Sequence, residues 1–107
     1  MKTLQGFQRK YLRGLAHGIK PQVMIGQKGI TDTVIREIDD SLKIHELIKI
    51  KFADFKERDQ KKELSSIIEQ KTGSQLAGII GHMAIFYRQH ENPEKRKITV
   101  PERSSET

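Results

Sequence analysis

The four residues Gly26-Gln27-Lys28-Gly29 have types and spacing suited to binding an anion. Two glycines flanking two residues let backbone N–H groups approach a phosphate closely, and Lys28 adds a full positive charge. A helix starting just beyond the loop would turn its free N–H groups and positive dipole end toward the same spot. The same four residues also make an ordinary strand-to-helix turn, so the surroundings have to decide between the two readings. Residues 1–31 carry six bases (Lys2, Arg9, Lys10, Arg13, Lys20 and Lys28) and no acid, whereas residues 32–107 hold 14 of each sign. The whole net charge of +6 therefore sits in the first third of the chain, where it would draw a polyanion to one face.

The groups that catalysis requires do not assemble in the same way. The histidines, His17, His45, His82 and His90, form no i, i+4 pair and no His-Glu-x-x-His pattern. Asp39-Asp40 and Glu57 with Asp59 fall among lysines on faces expected to be solvated. There is no Walker lysine loop and no Gly-x-Ser-x-Gly elbow, and the absence of cysteine removes disulfides, thiolate nucleophiles and cysteine-held metals. The expectation is a protein that binds without catalysing, with no metal and no cofactor.

At 107 residues the chain is one domain, with enough hydrophobic positions (35%) to build a core. The longest mostly apolar stretch, Leu76 to Tyr87, runs for 12 residues and includes two glycines and His82, short of the roughly 20 needed to span a bilayer. An acid-free amphipathic N-terminus also resembles a transit peptide, but those are serine-rich and residues 1–31 contain no serine. A cytoplasmic location is expected.

The elements that must position the loop can be read from periodicity. Leu4, Phe7, Tyr11, Leu12 and Leu15 recur at helical spacing and end at Gly18 and Pro21. Gln22 to Ile25 reads as a short strand running straight into the glycine loop. Thr31 or Asp32 then caps a helix carrying Val34, Ile35, Ile38 and Leu42. From Leu47 to Phe52 the pattern alternates, Ile48, Ile50 and Phe52 facing one way and Lys49 and Lys51 the other. A third helix carries Leu64, Ile67 and Ile68 and closes at Gly73. Two strands follow, separated by the two-residue turn Gly81-His82. The order α-β-α-β-α-β-β implies an α/β domain in which the second and third helices share one side of a mixed four-stranded sheet, leaving the other side partly open. Phe7, Tyr11, Phe52 and Phe86 are assigned to the core. From Gln89 onward the composition turns polar, which predicts a weakly ordered tail.

Several of these segments together resemble a family. Leu12-Arg13-Gly14-Leu15-Ala16-His17, Lys20-Pro21, Ile25 to Thr31, His45 to Lys51, Gly81-His82 before Phe86-Tyr87-Arg88, and Lys95 to Pro101 look like the bacterial YhbY-type proteins, which are stand-alone CRM domains. The resemblance covers roughly residues 4 to 101, placing a CRM domain at 1–101 and a weakly ordered tail at 102–107. At the hairpin the chain departs from the pattern, with His82-Met83 where the family often has a lysine and then a hydroxyl residue. The resemblance implies a fold similar to the C-terminal domain of translation initiation factor three, with a Gly-x-x-Gly loop like that of KH domains. It also implies RNA binding and association with precursors of the large ribosomal subunit during assembly.

The residues expected to meet ribosomal RNA are Gly26, Gln27, Lys28 and Gly29 of the loop, with Arg9, Lys10, Arg13 and Lys20 adjoining. Lys49, Lys51 and Arg88 could extend the basic patch, although charges on a half-exposed sheet equally serve solubility. Tyr87 and Arg88 fall on opposite faces of the last strand, so only one of them could face an open sheet surface. Low aromatic content (6%) favours contact with backbone and shape over base stacking, and a monomer is expected. Two rivals remain open: an adaptor that binds a ribosomal or assembly protein, and a peripheral binder of anionic membrane using the first helix.

Overall fold

The computed structural model describes residues 3–55 and 57–102. Three helices and four strands appear in the expected order: α1 (Gly6–Ala16), β1 (Val23–Ile25), α2 (Asp32–His45), β2 (Leu47–Phe52), α3 (Arg58–Thr72), β3 (Gln75–Ile80) and β4 (Met83–Tyr87), followed by a short 3-10 turn at Pro93–Lys95. They form a single α/β domain with a mixed sheet in the order β1-β2-β4-β3. β1 and β2 pair in parallel across α2, while β4 runs antiparallel between β2 and β3. The long β2–α3–β3 connection therefore skips one position, and the hairpin returns β4 to fill it.

Local chemistry accounts for the element ends. The Thr31 side chain accepts the Val34 N–H at 3.1 Å and caps α2. Gly73, at φ 70°, closes α3 in the left-handed conformation. Gly81, at φ 59°, supplies the positive angle that the two-residue hairpin needs.

Burial divides the apolar residues between the two faces of the sheet. Val23, Ile25, Ile48, Ile50, Phe52, Ala84 and Phe86 pack with Ile38 and Leu42 of α2 and Ile68 of α3. On the other face Leu47, Ala77, Ile85 and Tyr87 pack with Leu4, Leu12 and Ala16 from the N-terminal segment. The alternation in β2 is as read from the sequence. Phe52 and Phe86 are buried, but Tyr11, assigned to the core, is 42% exposed and Phe7 only half-buried. Leu12 and Ala16 set the inward direction of α1, and Tyr11 lies about 100° round the helix from Leu12.

The segment after Gln89 also differs from expectation. Ile98 and Val100 pack on the α1-side core, and the Gln8 side chain donates to the Pro101 carbonyl at 3.0 Å. Buried Glu46 holds this segment through its carboxylate, which accepts the N–H groups of His90 (2.7 Å), Lys97 (2.6 Å) and Ile98 (3.0 Å). Glu46 itself sits at φ 62°, unusual for a residue with a side chain, as the chain turns from α2 into β2. Residues 103–107, and with them most of the expected weakly ordered tail, lie outside the described residues.

Candidate nucleic-acid interface

The Gly26–Gly29 loop leaves the carboxyl end of β1, beside the carboxyl end of β2 and the β3–β4 turn. Three bonds fix this end of the sheet. Ala53 N–H donates to Ile25 O (2.9 Å), Phe52 N–H to His82 O (2.8 Å), and the buried Lys61 ammonium to Gly81 O (2.7 Å). Lys61 lies in the polar run 54–62, where nothing in the sequence marks it as a brace for the hairpin tip.

The loop is a tight turn closed by Gly29 N–H donating to Gly26 O at 3.0 Å. Gly29 needs its glycine because φ is 69°; a Cβ there would make only ordinary contact with the Phe55 ring, at 3.7 Å. A shallow cavity of about 390 Å³ is lined by Gly26, Gln27, Lys28, Gly29, Thr31 and Val34. The local geometry narrows what this cavity can offer an anion. Gly29 N–H is taken inside the turn, Val34 N–H is taken by Thr31, and Asp32 already puts negative charge on the first turn of α2. Asp54 approaches from the other side, its Oδ2 at 3.6 Å from where a Cβ on Gly26 would stand. The N–H groups of Gln27 and Lys28 have no acceptor among the described residues, and both residues are exposed. The loop thus presents the spare, exposed Gln27 and Lys28 amides and one ammonium, and the Asp32 and Thr33 N–H groups at the start of α2 likewise have no acceptor among the described residues.

The other expected residues separate into those near this end and those held elsewhere. Lys51 pairs with Met24, two positions before Gly26, and Lys49 lies one alternation back on the same face; both are half-exposed. Lys20 precedes β1 at the strand's other end, while Lys10 is exposed on α1 and Arg9 half-buried beside it. Two arginines are committed to the fold. Arg13 lies across Gly78 and donates to Ala77 O at 2.8 Å, and a Cβ on Gly78 would come within 2.6 Å of its Cδ. Arg88 donates to Asp39 Oδ1 (2.6 Å), Thr72 O (2.8 Å) and Asp39 O (3.1 Å), tying α2 and the end of α3 to the sheet. Its hydrogen bond holds the Asp39 carboxyl below the usual carboxylate range, against partial desolvation, with Lys43 helping.

Neither Tyr87 nor Arg88 is left facing an open sheet surface. The Tyr87 ring is fully buried under α1, and its hydroxyl has no hydrogen-bond partner among the described residues. Burial, with the nearby Glu46 carboxylate, pushes that hydroxyl up to about 12, although Arg96 works the other way. Among the described residues no three His, Asp or Glu side chains are grouped to hold a metal, and no helix is long and apolar enough to cross a membrane.

Comparison with known proteins follows the same outline. Residues 4–88 match the model of the CRS1/YhbY (CRM) domain family. An RNA-binding protein of Haemophilus influenzae is 39% identical over 101 residues, covering 94% of this chain and 98% of that protein. Probable RNA-binding protein PA4753 of Pseudomonas aeruginosa is 35% identical over 93 residues, 87% of this chain and 88% of its own length. The solution structure of the Staphylococcus aureus protein SAV1595 superposes with a TM-score of 0.77 at 38% identity, covering 91% of this chain and all of that one.

Proposed function

The chain belongs to the CRS1/YhbY (CRM) domain family, and from that premise we propose that it is a non-catalytic RNA-binding factor acting on ribosomal RNA in precursors of the large subunit. The observation that carries this reading is the carboxyl end of β1 and β2, where the spare Gln27 and Lys28 amides, the Lys28 ammonium and Lys51 lie, with Lys49 one alternation back along the same face, level with Gln22. Phosphates are met there by amides and lysines, with Lys10 and Arg9 of α1 and Lys20 adding to the attraction at longer range. Arg13 and Arg88 instead keep the fold that holds these groups in place. The names of the bacterial relatives point the same way.

With about four to six phosphates neutralised, affinity for RNA falls roughly 10²- to 10³-fold between 50 and 200 mM salt. Crosslinking in cells followed by sequencing of the attached RNA tests the target. The expected result is enrichment of large-subunit ribosomal RNA. Crosslinks spread over messenger RNA, or a salt-independent interaction with a ribosomal protein alone, would overturn the reading.

A further inference from the structure

The sheet face under α1 is covered over only part of its length. Leu4, Leu12 and Ala16 pack against Leu47, Ala77, Ile85 and Tyr87, and Arg13 lies over Gly78. One further row remains at the carboxyl end of β1 and β2. The pairings Met24↔Lys51, Lys51↔Met83 and Met83↔Ile80 place four residues side by side across all four strands. Their neighbours Ile25, Phe52, Ala84 and Ile79 point into the α2–α3 core, so all four side chains stand on the α1 face. Met24 is 59% exposed and Ile80 57%, while Met83 and Lys51 are half-exposed. At about 4.8 Å per strand, the row runs for roughly 14 Å.

The charges beside this row say what could cover it. It contains Lys51 and no acid, Lys49 stands next to Lys51 on the same face, and Lys28 lies in the loop that β1 enters. An isologous second copy would bring these lysines near their own symmetry mates, which disfavours self-association. A polyanion with planar apolar groups fits better. Methionine is flexible and its sulfur makes favourable contacts with aromatic rings, so two methionines and an isoleucine can accept bases without selecting a sequence.

We infer that the Met24–Lys51–Met83–Ile80 row is a platform for unstacked bases of a single-stranded RNA whose phosphates are held at Gln27, Lys28 and Lys49, an inference that rests on the RNA-binding reading above. Base contact is thus supplied by aliphatic and thioether side chains, in a domain where Phe52, Phe86 and Tyr87 are all buried.

The test compares the wild type with a Met24→Ser, Ile80→Ser double variant, using a short single-stranded oligoribonucleotide that carries 2-aminopurine. The wild type should raise the probe's fluorescence as the base leaves its neighbours. The double variant should lose most of that rise and bind about tenfold more weakly, with the same melting temperature and the same slope of affinity against salt. Equal affinity and fluorescence in the two proteins would overturn the platform while leaving the RNA-binding reading in place. If the wild type binds neither this probe nor duplex RNA at low salt, both fall. A wild-type dimer that the double variant abolishes, with RNA affinity unchanged, would also overturn the platform by showing that the face joins two copies.

Discussion

The two ends of the sheet use similar residue types in opposite ways. At the end where β2 begins and β4 finishes, the charged side chains Glu46 and Arg88 are bonded inside the molecule, and of the polar groups there the Tyr87 hydroxyl is the exception. Glu46 accepts three N–H groups from the C-terminal segment, and Arg88 bridges Asp39 and Thr72. At the end where β1 and β2 finish, the Gln27 and Lys28 amides and the Lys28 and Lys51 ammonium groups have no partner among the described residues, and a row of apolar side chains is exposed or half-exposed. Hydrogen bonds closed internally contribute to stability, whereas unsatisfied donors beside exposed apolar surface contribute only when a partner arrives. Substitutions at the first end should therefore lower the melting temperature, and substitutions at the second should lower affinity.

The largest effect is expected at Glu46. Glu46→Ala leaves three N–H groups without their charged acceptor and should destabilise the domain by about 3 kcal/mol or more. Thermal unfolding gives the stability change, and binding assayed well below the melting point should stay close to wild type. A large loss of RNA affinity in a folded Glu46→Ala protein would break the division between the two ends. The next effect is at Lys28. Lys28→Ala removes one cation from an exposed turn, so affinity should weaken by about 1 kcal/mol and the salt slope should fall by about one unit, with no change in melting temperature.

Tyr87 sharpens the comparison in alkali. Its hydroxyl is buried without a partner among the described residues, so Tyr87→Phe should be neutral or stabilising by up to about 1 kcal/mol. Because its folded value is raised to about 12 from 10.0, the unfolded chain ionises first, so this group leaves wild-type stability unchanged below pH 10 and lowers it as pH rises toward 12. The phenylalanine variant should lack that part of the alkaline decline in denaturant melts. The smallest effect is at Asp39, whose folded value is lowered by Arg88 from the usual 3.8. Its contribution is present above that value and lost as pH falls through the folded one. Stability curves for wild type and Asp39→Asn should therefore converge in acid below about pH 4, the unperturbed range of the carboxylate.

Local patterns in the sequence revealed most of the fold. The alternation in β2, the Thr31 cap, the Gly73 stop and the Gly81-His82 turn each depend on neighbours within a few residues. What could not be read depends on partners far along the chain. Glu46 meets Lys97 and Ile98 more than fifty positions away, and Arg13 meets Ala77 across 64. In sequence these residues look like any solvated charge. The site was legible to a similar degree. Composition singled out the loop, but not that Gly29 N–H closes its own turn or that Asp32 and Asp54 flank it. The Met24–Ile80 row needed the strand order, because two of its three pairings, Met24↔Lys51 and Lys51↔Met83, join segments about 30 positions apart.

The most direct measurement is a map of backbone amide chemical shifts, recorded by nuclear magnetic resonance while a single-stranded ribosomal RNA fragment is added. The division between the two ends predicts the largest shifts at Met24, Gln27, Lys28, Lys51 and His82, with Glu46, Arg88 and Ile98 nearly still. Shifts concentrated around Glu46, Arg88 and residues 90–98, with the loop unmoved, would place the RNA at the wrong end of the sheet and contradict the proposed interface.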